Sequence, residues 1–93
     1  MPKARRKVES SLEYKGFQKR VDGDHRYFVY WSLDGKKTPI FTKTSHSGKD
    51  IGNNILSQMA KQCRLSNSQF SDLVDCPMTQ EVYERHLEDQ GAL

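Results

Sequence analysis

The 93-residue sequence predicts one small α+β domain: an α-β-β-β-α sandwich with a three-stranded antiparallel sheet and a C-terminal helical extension. Two observations predict this class. Apolar residues alternate with a period of two over residues 17–44, and they recur at helical spacing on either side of that segment. Because short turns join the strands, we expect them to pair antiparallel, with helices covering one face of the sheet and leaving the other open.

The first predicted helix runs from about Lys3 to Tyr14, because Val8 and Leu12 stand four residues apart and share one helical face. The pair Lys15-Gly16 ends it, since a cation suits the last turn and glycine adopts the left-handed conformation that follows a helix. A first strand begins at Phe17, where the period changes from helical spacing to two.

The strongest strand pattern in the chain is His25–Leu33, which follows the glycine-containing turn Asp22–Asp24. The pair Asp34-Gly35 is typical of a tight hairpin, and a third strand is predicted over roughly Lys37–Thr44. Pro39 favours an edge position for this third strand, because proline cannot donate a hydrogen bond to a neighbouring strand.

The long strand carries apolar residues on both faces, so the alternation alone does not determine which face is buried. We predict that Tyr27, Val29 and Trp31 face the core. Phe28 and Tyr30 would then lie on the open face among basic residues. There they could stack on RNA bases, or be covered by a protein partner or a second copy of the chain.

The C-terminal half is predicted to be helical. Its main helix carries an apolar stripe formed by Ile51, Ile55, Met59 and Cys63. A possible N-cap lies in the preceding loop, residues 47–50, while Ser66 or Asn67 caps a second helix and Thr79 opens a third. The predicted inward residues of these last two helices are Phe70, Leu73, Val74, Val82, Tyr83 and Leu87. The residues from Glu88 onward are expected to fray.

The formal net charge of +3 hides a strong asymmetry between the two halves of the chain. Residues 1–49 hold 12 Lys or Arg against 5 Asp or Glu, a net charge of +7, whereas residues 50–93 hold 3 against 7, a net of −4. A basic half favours a polyanionic partner such as RNA. The alternative at this point is an ordinary solvated charged surface.

Several classes of protein are disfavoured by composition. No apolar run approaches the roughly 20 residues of a membrane span, and the N-terminus lacks the apolar segment of a secretory signal. A cytoplasmic protein without a membrane or cofactor is therefore the expectation. Cys63 and Cys76 match no zinc pattern, so no metal site is predicted and both are interpreted as small buried hydrophobes.

Two histidines are candidates for chemistry or binding. His25 follows a glycine turn and opens the long strand, and a histidine there can take a proton from a ribose 2′-hydroxyl and assist attack on the phosphate. The alternative is a structural histidine bonded to the turn. His46 and Lys49 lie in the polar loop before the main helix, whose N-terminus can hold a phosphate, or they belong to an ordinary polar loop.

Four stretches, in this order, resemble the HicA family of toxin–antitoxin mRNA interferases. They are Tyr14–Phe17, Gly23–His25, Asp34–Lys37, and His46–Ile51 running into Leu56–Ser66. The resemblance covers roughly residues 3–66. It predicts a HicA-like RNA-binding toxin domain over 1–66, with residues 67–93 forming a helical extension packed on the same domain. It also implies a fold like that of double-stranded-RNA-binding domains.

The resemblance implies ribonuclease activity centred on His25, with no metal, and a HicB-type antitoxin that covers the active face. One departure lies beside the histidine: the family usually has Ser, Thr or Asn before it, whereas Asp24 stands here. That carboxylate either orients His25 or hinders the approach of a phosphate.

Three functions follow from the sequence. The first is a metal-independent mRNA endoribonuclease with His25 as general acid and base. The second is a non-catalytic RNA-binding module, and the third is a protein-interaction platform without a nucleic-acid role. The residues predicted to contact RNA are Lys19, Arg20, Arg26, Lys36, Lys37, His46 and Lys49.

Overall fold

A computed structural model describes residues 3–23, 25–45, 50–75 and 77–93 of the chain. Its elements are β1 (Lys3–Ala4), α1 (Arg5–Tyr14), β2 (Phe17–Asp22), β3 (His25–Trp31), β4 (Lys37–Ser45), β5 (Asp50–Ile51), α2 (Asn53–Gln62), α3 (Asn67–Val74) and α4 (Gln80–Asp89). The predicted α+β class with a three-stranded antiparallel sheet is confirmed, and the arrangement is that of a double-stranded-RNA-binding-like fold.

The main sheet has the strand order β2-β3-β4, so β3 is central and β4 is an edge strand, as Pro39 predicted. The hairpin predicted at Asp34-Gly35 joins β3 to β4, and Gly35 adopts a positive φ of 82° there. Strand β3 ends at Trp31, before the predicted Leu33, because Ser32 already belongs to the turn and its N–H donates to the carbonyl of Lys36.

The prediction of which face of β3 is buried is wrong. Phe28 and Tyr30 are fully buried, whereas Tyr27, Val29 and Trp31 are only partly buried and lie outside the core cluster. Both sets are apolar, so a period of two fits either orientation of the strand. The choice depends on what the neighbouring strands and the helices present to each face.

The register of the sheet explains the choice. Directly paired residues share a face, and Phe17 of β2 pairs with Tyr30 and is buried with it. On the opposite side Tyr27 lies between Arg20 of β2 and Lys43 of β4. We call this opposite side the outer face. Its side chains are those of Gln18, Arg20, Asp22, His25, Tyr27, Val29, Trp31, Lys37, Phe41 and Lys43.

The helices pack on the inner face of the sheet and form one core with it. Their core residues, together with Cys63 directly after α2, are Val8, Leu12, Met59, Ala60, Phe70, Leu73, Val74, Tyr83 and Leu87. Tyr83 of α4 stacks on Phe17 at a ring distance of 5.8 Å and meets Tyr30 edge-on at 5.1 Å. Helix α4 therefore packs directly against β2 and β3 through aromatic contacts.

Two predicted helix starts are wrong for the same reason. Helix α1 begins at Arg5 because Lys3–Ala4 pair with Asp50–Ile51 in a short antiparallel ladder. The same ladder holds Asp50 in an extended conformation, so the N-cap of α2 is Gly52 and not a residue of the 47–50 loop. The rest of that loop lies outside the described residues. The glycine stop at the end of α1 is confirmed, since Gly16 has a φ of 102°.

The predicted caps of the last two helices are confirmed. The Ser66 hydroxyl accepts a hydrogen bond from the Gln69 N–H at 3.1 Å, and the Gln69 side chain accepts one from the Ser66 N–H at 2.9 Å. At α4 the Thr79 hydroxyl accepts a hydrogen bond from the N–H of Val82 at 3.2 Å.

Three expectations for the helices are wrong. Val82 is 51% exposed, because α4 buries Tyr83 and Leu87 and Val82 lies about 100° further round the helix. Ile55 is 43% exposed and lines a surface cavity instead of the core. The tail is ordered beyond Glu88, since α4 continues to Asp89 and the N–H of Ala92 donates to a carbonyl of the helix. No helix in the described ranges has the length and apolar character needed to cross a bilayer.

Candidate functional site

His25 lies at one end of the outer face. It is the first residue of β3, where it pairs with Asp22 of β2 and with Ser45 of β4, and its side chain is exposed. The imidazole is 6.2 Å from the ring of Tyr27, measured between ring centres. The strand start predicted from the glycine turn is confirmed. A substrate on the outer face can therefore reach this imidazole.

A cavity of about 180 Å³ opens beside His25. Its sheet side is formed by His25 and Lys43, and its helix side by Ile55, Gln58 and Gln62 of α2. The lining combines an imidazole and an ammonium with apolar carbon and two side-chain amides. Such a mixture suits a ligand that has both a flat apolar part and a negative charge.

Helix α2 is held against the edge strand by hydrogen bonds that its last residue, Gln62, accepts. The Oε1 atom of Gln62 accepts from the Thr42 hydroxyl at 2.6 Å and from the backbone N–H of Lys43 at 3.4 Å. An edge strand has backbone N–H and C=O groups that lack a sheet partner on one side. Gln62 provides the hydrogen-bond partner for one of these groups, the N–H of Lys43. This contact fixes the helix side of the cavity relative to Lys43.

A buried carboxylate lies on the inner face, behind the strand that carries His25. Glu9 of α1 accepts a hydrogen bond from Nη1 of Arg26 at 2.9 Å and from the Thr44 hydroxyl at 3.0 Å. The Glu9 side chain is only 9% exposed and that of Arg26 is 23% exposed. Glu9 thus connects α1 to the ends of β3 and β4 that carry the site.

In the comparison with protein families, the model described as the HicA toxin of bacterial toxin–antitoxin systems matches residues 5–65. That is well over half of the chain. The chain belongs to the HicA toxin family. The protein is therefore the toxin member of a toxin–antitoxin pair, which implies an antitoxin partner. Comparisons with curated proteins and with solved structures gave no match.

The HicA match extends from the start of α1 to just beyond the end of α2. It includes His25, the whole outer face and the α2 residues that line the cavity. Helices α3 and α4 lie beyond it, although they share the core. The elements that position the candidate site are therefore those that this chain shares with other HicA toxins.

The structure brings only some of the predicted RNA contacts toward His25. Arg20 lies on the outer face opposite Tyr27, two pairs along the β2–β3 ladder from the histidine. Arg26 points the other way and its guanidinium binds Glu9. Lys19 is exposed but stands opposite Phe28, on the inner side of the sheet.

The hairpin lysines lie at the far end of the sheet. Lys37 pairs with Trp31 on the outer face, and Trp31 is six residue steps along β3 from His25, a distance of about 20 Å. The ammonium of Lys36 is 3.9 Å from a carboxylate oxygen of Asp34. A hydrogen bond from Ser32, together with the charge of Lys36, lowers the pKa of that carboxyl group. His46 and Lys49 lie outside the described residues.

Sequence reasoning missed Lys43, Phe41 and the two glutamines of α2. The alternation within β4 does place Phe41 and Lys43 on one face, but only the pairing register shows that this is the face of His25. The glutamines carry no motif, and they become site residues only because α2 packs beside β4. Within the described residues, no three His, Cys, Asp or Glu side chains come together as a metal site would require.

Proposed function

We propose that this HicA toxin is a metal-independent endoribonuclease that cleaves mRNA, with His25 as general acid and base. The observation that carries the proposal is the placement of His25, exposed on the basic outer face and beside a cavity that Lys43 also lines. The family supports the role of toxin. Arg20 and Lys43 supply positive charge on the face that an RNA backbone would approach.

The chemistry uses groups that the chain and its substrate provide. His25 takes the proton of a ribose 2′-hydroxyl, the 2′ oxygen forms a bond to the adjacent phosphorus, and the bond from phosphorus to the 5′ oxygen breaks. The imidazolium returns the proton to the leaving 5′ oxygen, giving a 2′,3′-cyclic phosphate and a 5′-hydroxyl. Lys43 is placed to stabilise the charge that builds on the phosphate oxygens.

The test compares RNA cleavage by the wild-type chain, by His25→Ala and by His86→Ala, all with EDTA present. His86 lies on α4, which packs on the inner face of the sheet, and serves as the matched histidine control. Loss of a general acid and base typically lowers the rate by about 100-fold to 10,000-fold. We expect that loss for His25→Ala alone, with RNA binding retained, and a cyclic phosphate at the new 3′ end.

A second function, RNA binding without cleavage, is favoured by one observation: Asp22 pairs with His25 and adds a negative charge next to it on the outer face. Binding by all three proteins without cleavage would support this function and refute the nuclease. A salt titration separates both from a protein-interaction platform, since contacts to several phosphates make affinity fall steeply as salt rises. Asp24 lies outside the described residues.

The antitoxin partner is proposed to be a HicB-type protein that covers the outer face in the cytoplasm. Covering this face would block His25 and Arg20 together, so the complex should neither bind nor cleave RNA. Retained cleavage in a stable complex would place the antitoxin elsewhere. A homodimer stays a prediction.

A further inference from the structure

The outer face carries a row of aromatic rings that the core does not use. Tyr27 and Phe41 are 6.5 Å apart between ring centres, at an angle of 52°, and the His25 ring follows at 6.2 Å from Tyr27. Phe41 is 45% exposed although it lies in the middle of a strand. Trp31, the single tryptophan, lies on the same face, four residues after Tyr27 in β3.

The charges around this row select the class of ligand. Arg20 and Lys43 stand on either side of Tyr27 in the neighbouring strands, and Lys37 pairs with Trp31. Asp22 is the only carboxylate among the described side chains of the outer face. Flat rings edged by cations match a nucleic acid strand, in which flat bases alternate with phosphates. An acidic apolar protein surface would fit the charge but would not need flat rings.

The geometry also distinguishes a single strand from a duplex. In a duplex the bases are stacked on one another, so their faces are hidden from protein side chains. A ring such as Phe41, exposed on the face of a sheet, can stack only on a base that is already unstacked. The ring centres of Tyr27 and Phe41, which lie in neighbouring strands, are 6.5 Å apart, and this is a suitable spacing for successive unstacked bases on one sheet surface.

We infer that the outer face binds single-stranded RNA. Bases stack on Tyr27 and Phe41, the adjacent phosphates contact Arg20 and Lys43, and the strand passes His25 at the end of the row. This inference rests on the proposed function, because it assigns the substrate class of the same site. It makes the aromatic row responsible for selecting unpaired segments of RNA before His25 acts on them.

The test measures binding, so that it does not depend on cleavage. All variants carry His25→Ala, and the probe is an RNA of about 12 nucleotides without self-complementarity, used alone or annealed to its complement. Tyr27→Leu and Phe41→Leu keep an apolar side chain but remove the flat ring. Tyr14→Leu is the matched control, since Tyr14 is 80% exposed on α1 and lies off the sheet. Circular dichroism and thermal unfolding check that each variant folds.

We expect Tyr27→Leu and Phe41→Leu each to weaken binding of the single strand by about ten-fold, and Tyr14→Leu to leave it unchanged. The single strand should quench the fluorescence of Trp31, and the duplex should bind more weakly. Arg20→Ala and Lys43→Ala should each reduce the slope of log affinity against log salt by about 0.7.

Unchanged affinity in both ring variants, or a duplex bound as tightly as the single strand, would overturn the inference. If those variants keep their affinity for RNA and lose affinity only for the antitoxin, the rings serve protein docking and not RNA binding. The outcomes also separate the two proposals. Cleavage that depends on His25 but not on the rings would support the nuclease and refute the single-strand site. Binding that depends on the rings, without any cleavage, would support the single-strand site and refute the nuclease.

Discussion

Glu9 is the polar residue that connects the candidate site to the helical layer. Its two carboxylate oxygens are divided between two partners, Arg26 of β3 and Thr44 of β4. A nearly buried carboxylate is stable only when its hydrogen bonds are made. The ends of the strands that flank His25 are thus held by one side chain of α1.

Glu9→Gln should lower the free energy of unfolding by about 2 kcal/mol, because the amide has no negative charge and turns a donor toward Arg26 or Thr44. This loss is smaller than the loss expected when a fully buried ion pair is broken, because the Arg26 side chain is 23% exposed. Urea unfolding measures the change, and Glu13→Gln, an exposed position on the same helix, is the control. Equal midpoints for both variants would show that the Glu9 pair contributes nothing.

Cys63 should be chemically inert in the folded chain. Burial raises the pKa of its thiol from 9.0 to about 12, and only the thiolate is a good nucleophile. Alkylation by iodoacetamide at pH 8 should be much slower in the native chain than in urea, as measured by mass spectrometry of the Cys63 peptide. Comparable rates in the two conditions would contradict the buried placement.

The same shift gives a pH dependence of stability. The unfolded chain loses the Cys63 proton near pH 9 while the folded chain keeps it up to about pH 12. Unfolding therefore releases a proton in this range, and stability should fall as the pH rises above about 9. A melting temperature that rises between pH 9 and pH 11 would contradict this sign.

At this scale the sequence predicts a residue well when its position depends on its neighbours in the chain. The strand start at His25 follows from the glycine turn, and the Ser66 cap follows from a hydroxyl before a helical stripe. The Glu9–Arg26 pair joins residues 17 apart in sequence through the packing of α1 on the sheet. No local pattern contains that information.

At the scale of elements, β3 shows where pattern reasoning stops. The strand and its start at His25 are predictable, but its two faces are both apolar, and the sequence interpretation placed the wrong one in the core. The register would have decided it, since Tyr27 pairs with two cations while Tyr30 pairs with buried Phe17. Register depends on hairpin geometry and tertiary burial together.

Gly16 is where α1, β3 and α4 meet. Its φ of 102° suits glycine, its carbonyl accepts a hydrogen bond from the Trp31 N–H at 2.9 Å, and a Cβ there would clash with the side chain of Gln80. The Tyr30 ring lies 3.1 Å from the same Cβ position. Gln80 approaches the Tyr30 hydroxyl at 3.4 Å, so moving it disturbs the docking of α4.

Gly16→Ala should therefore destabilise the chain by more than Gly35→Ala, the matched control. Gly35 also has a positive φ, but a Cβ there meets open space. Both variants carry backbone strain of about 1–2 kcal/mol, and crowding against the Tyr30 ring and the displaced Gln80 amide should add about 1 kcal/mol at Gly16 alone. Urea unfolding of the two variants measures the difference, and equal losses would show that Gln80 moves aside without cost.

At the scale of the whole molecule, α3 and α4 are joined to the HicA-matched region by polar contacts as well as by the core. The Tyr30 hydroxyl donates to Glu84 at 2.7 Å, and the Leu33 N–H donates to the same carboxylate at 2.8 Å. The Ser11 hydroxyl donates to the carbonyl of Val74 at 2.7 Å. Buried Lys15 donates to the carbonyl of Met78.

The existence of α3 and α4 is predictable from their caps and apolar spacing, but their contribution to the core is not. The family match ends at residue 65, which suggests that a HicA domain could be complete without them. The structure instead places several of their side chains in the middle of the core. How an extension packs depends on which surface the preceding helices leave apolar, and that surface exists only after folding.

Deleting residues 67–93 should therefore abolish cooperative folding. The deletion removes five fully or nearly fully buried side chains: Phe70, Leu73, Val74, Tyr83 and Leu87. At about 1.5–3 kcal/mol each, their burial amounts to roughly 10 kcal/mol, comparable to the 5–15 kcal/mol stability of a whole domain. Thermal and urea unfolding of the 1–66 chain should show no sharp transition.

Deletion of Leu93 alone, which is 44% exposed, is the control and should leave the transition unchanged. A cooperative transition in the 1–66 chain would instead show that the HicA-matched region folds by itself and that α3 and α4 only enlarge it.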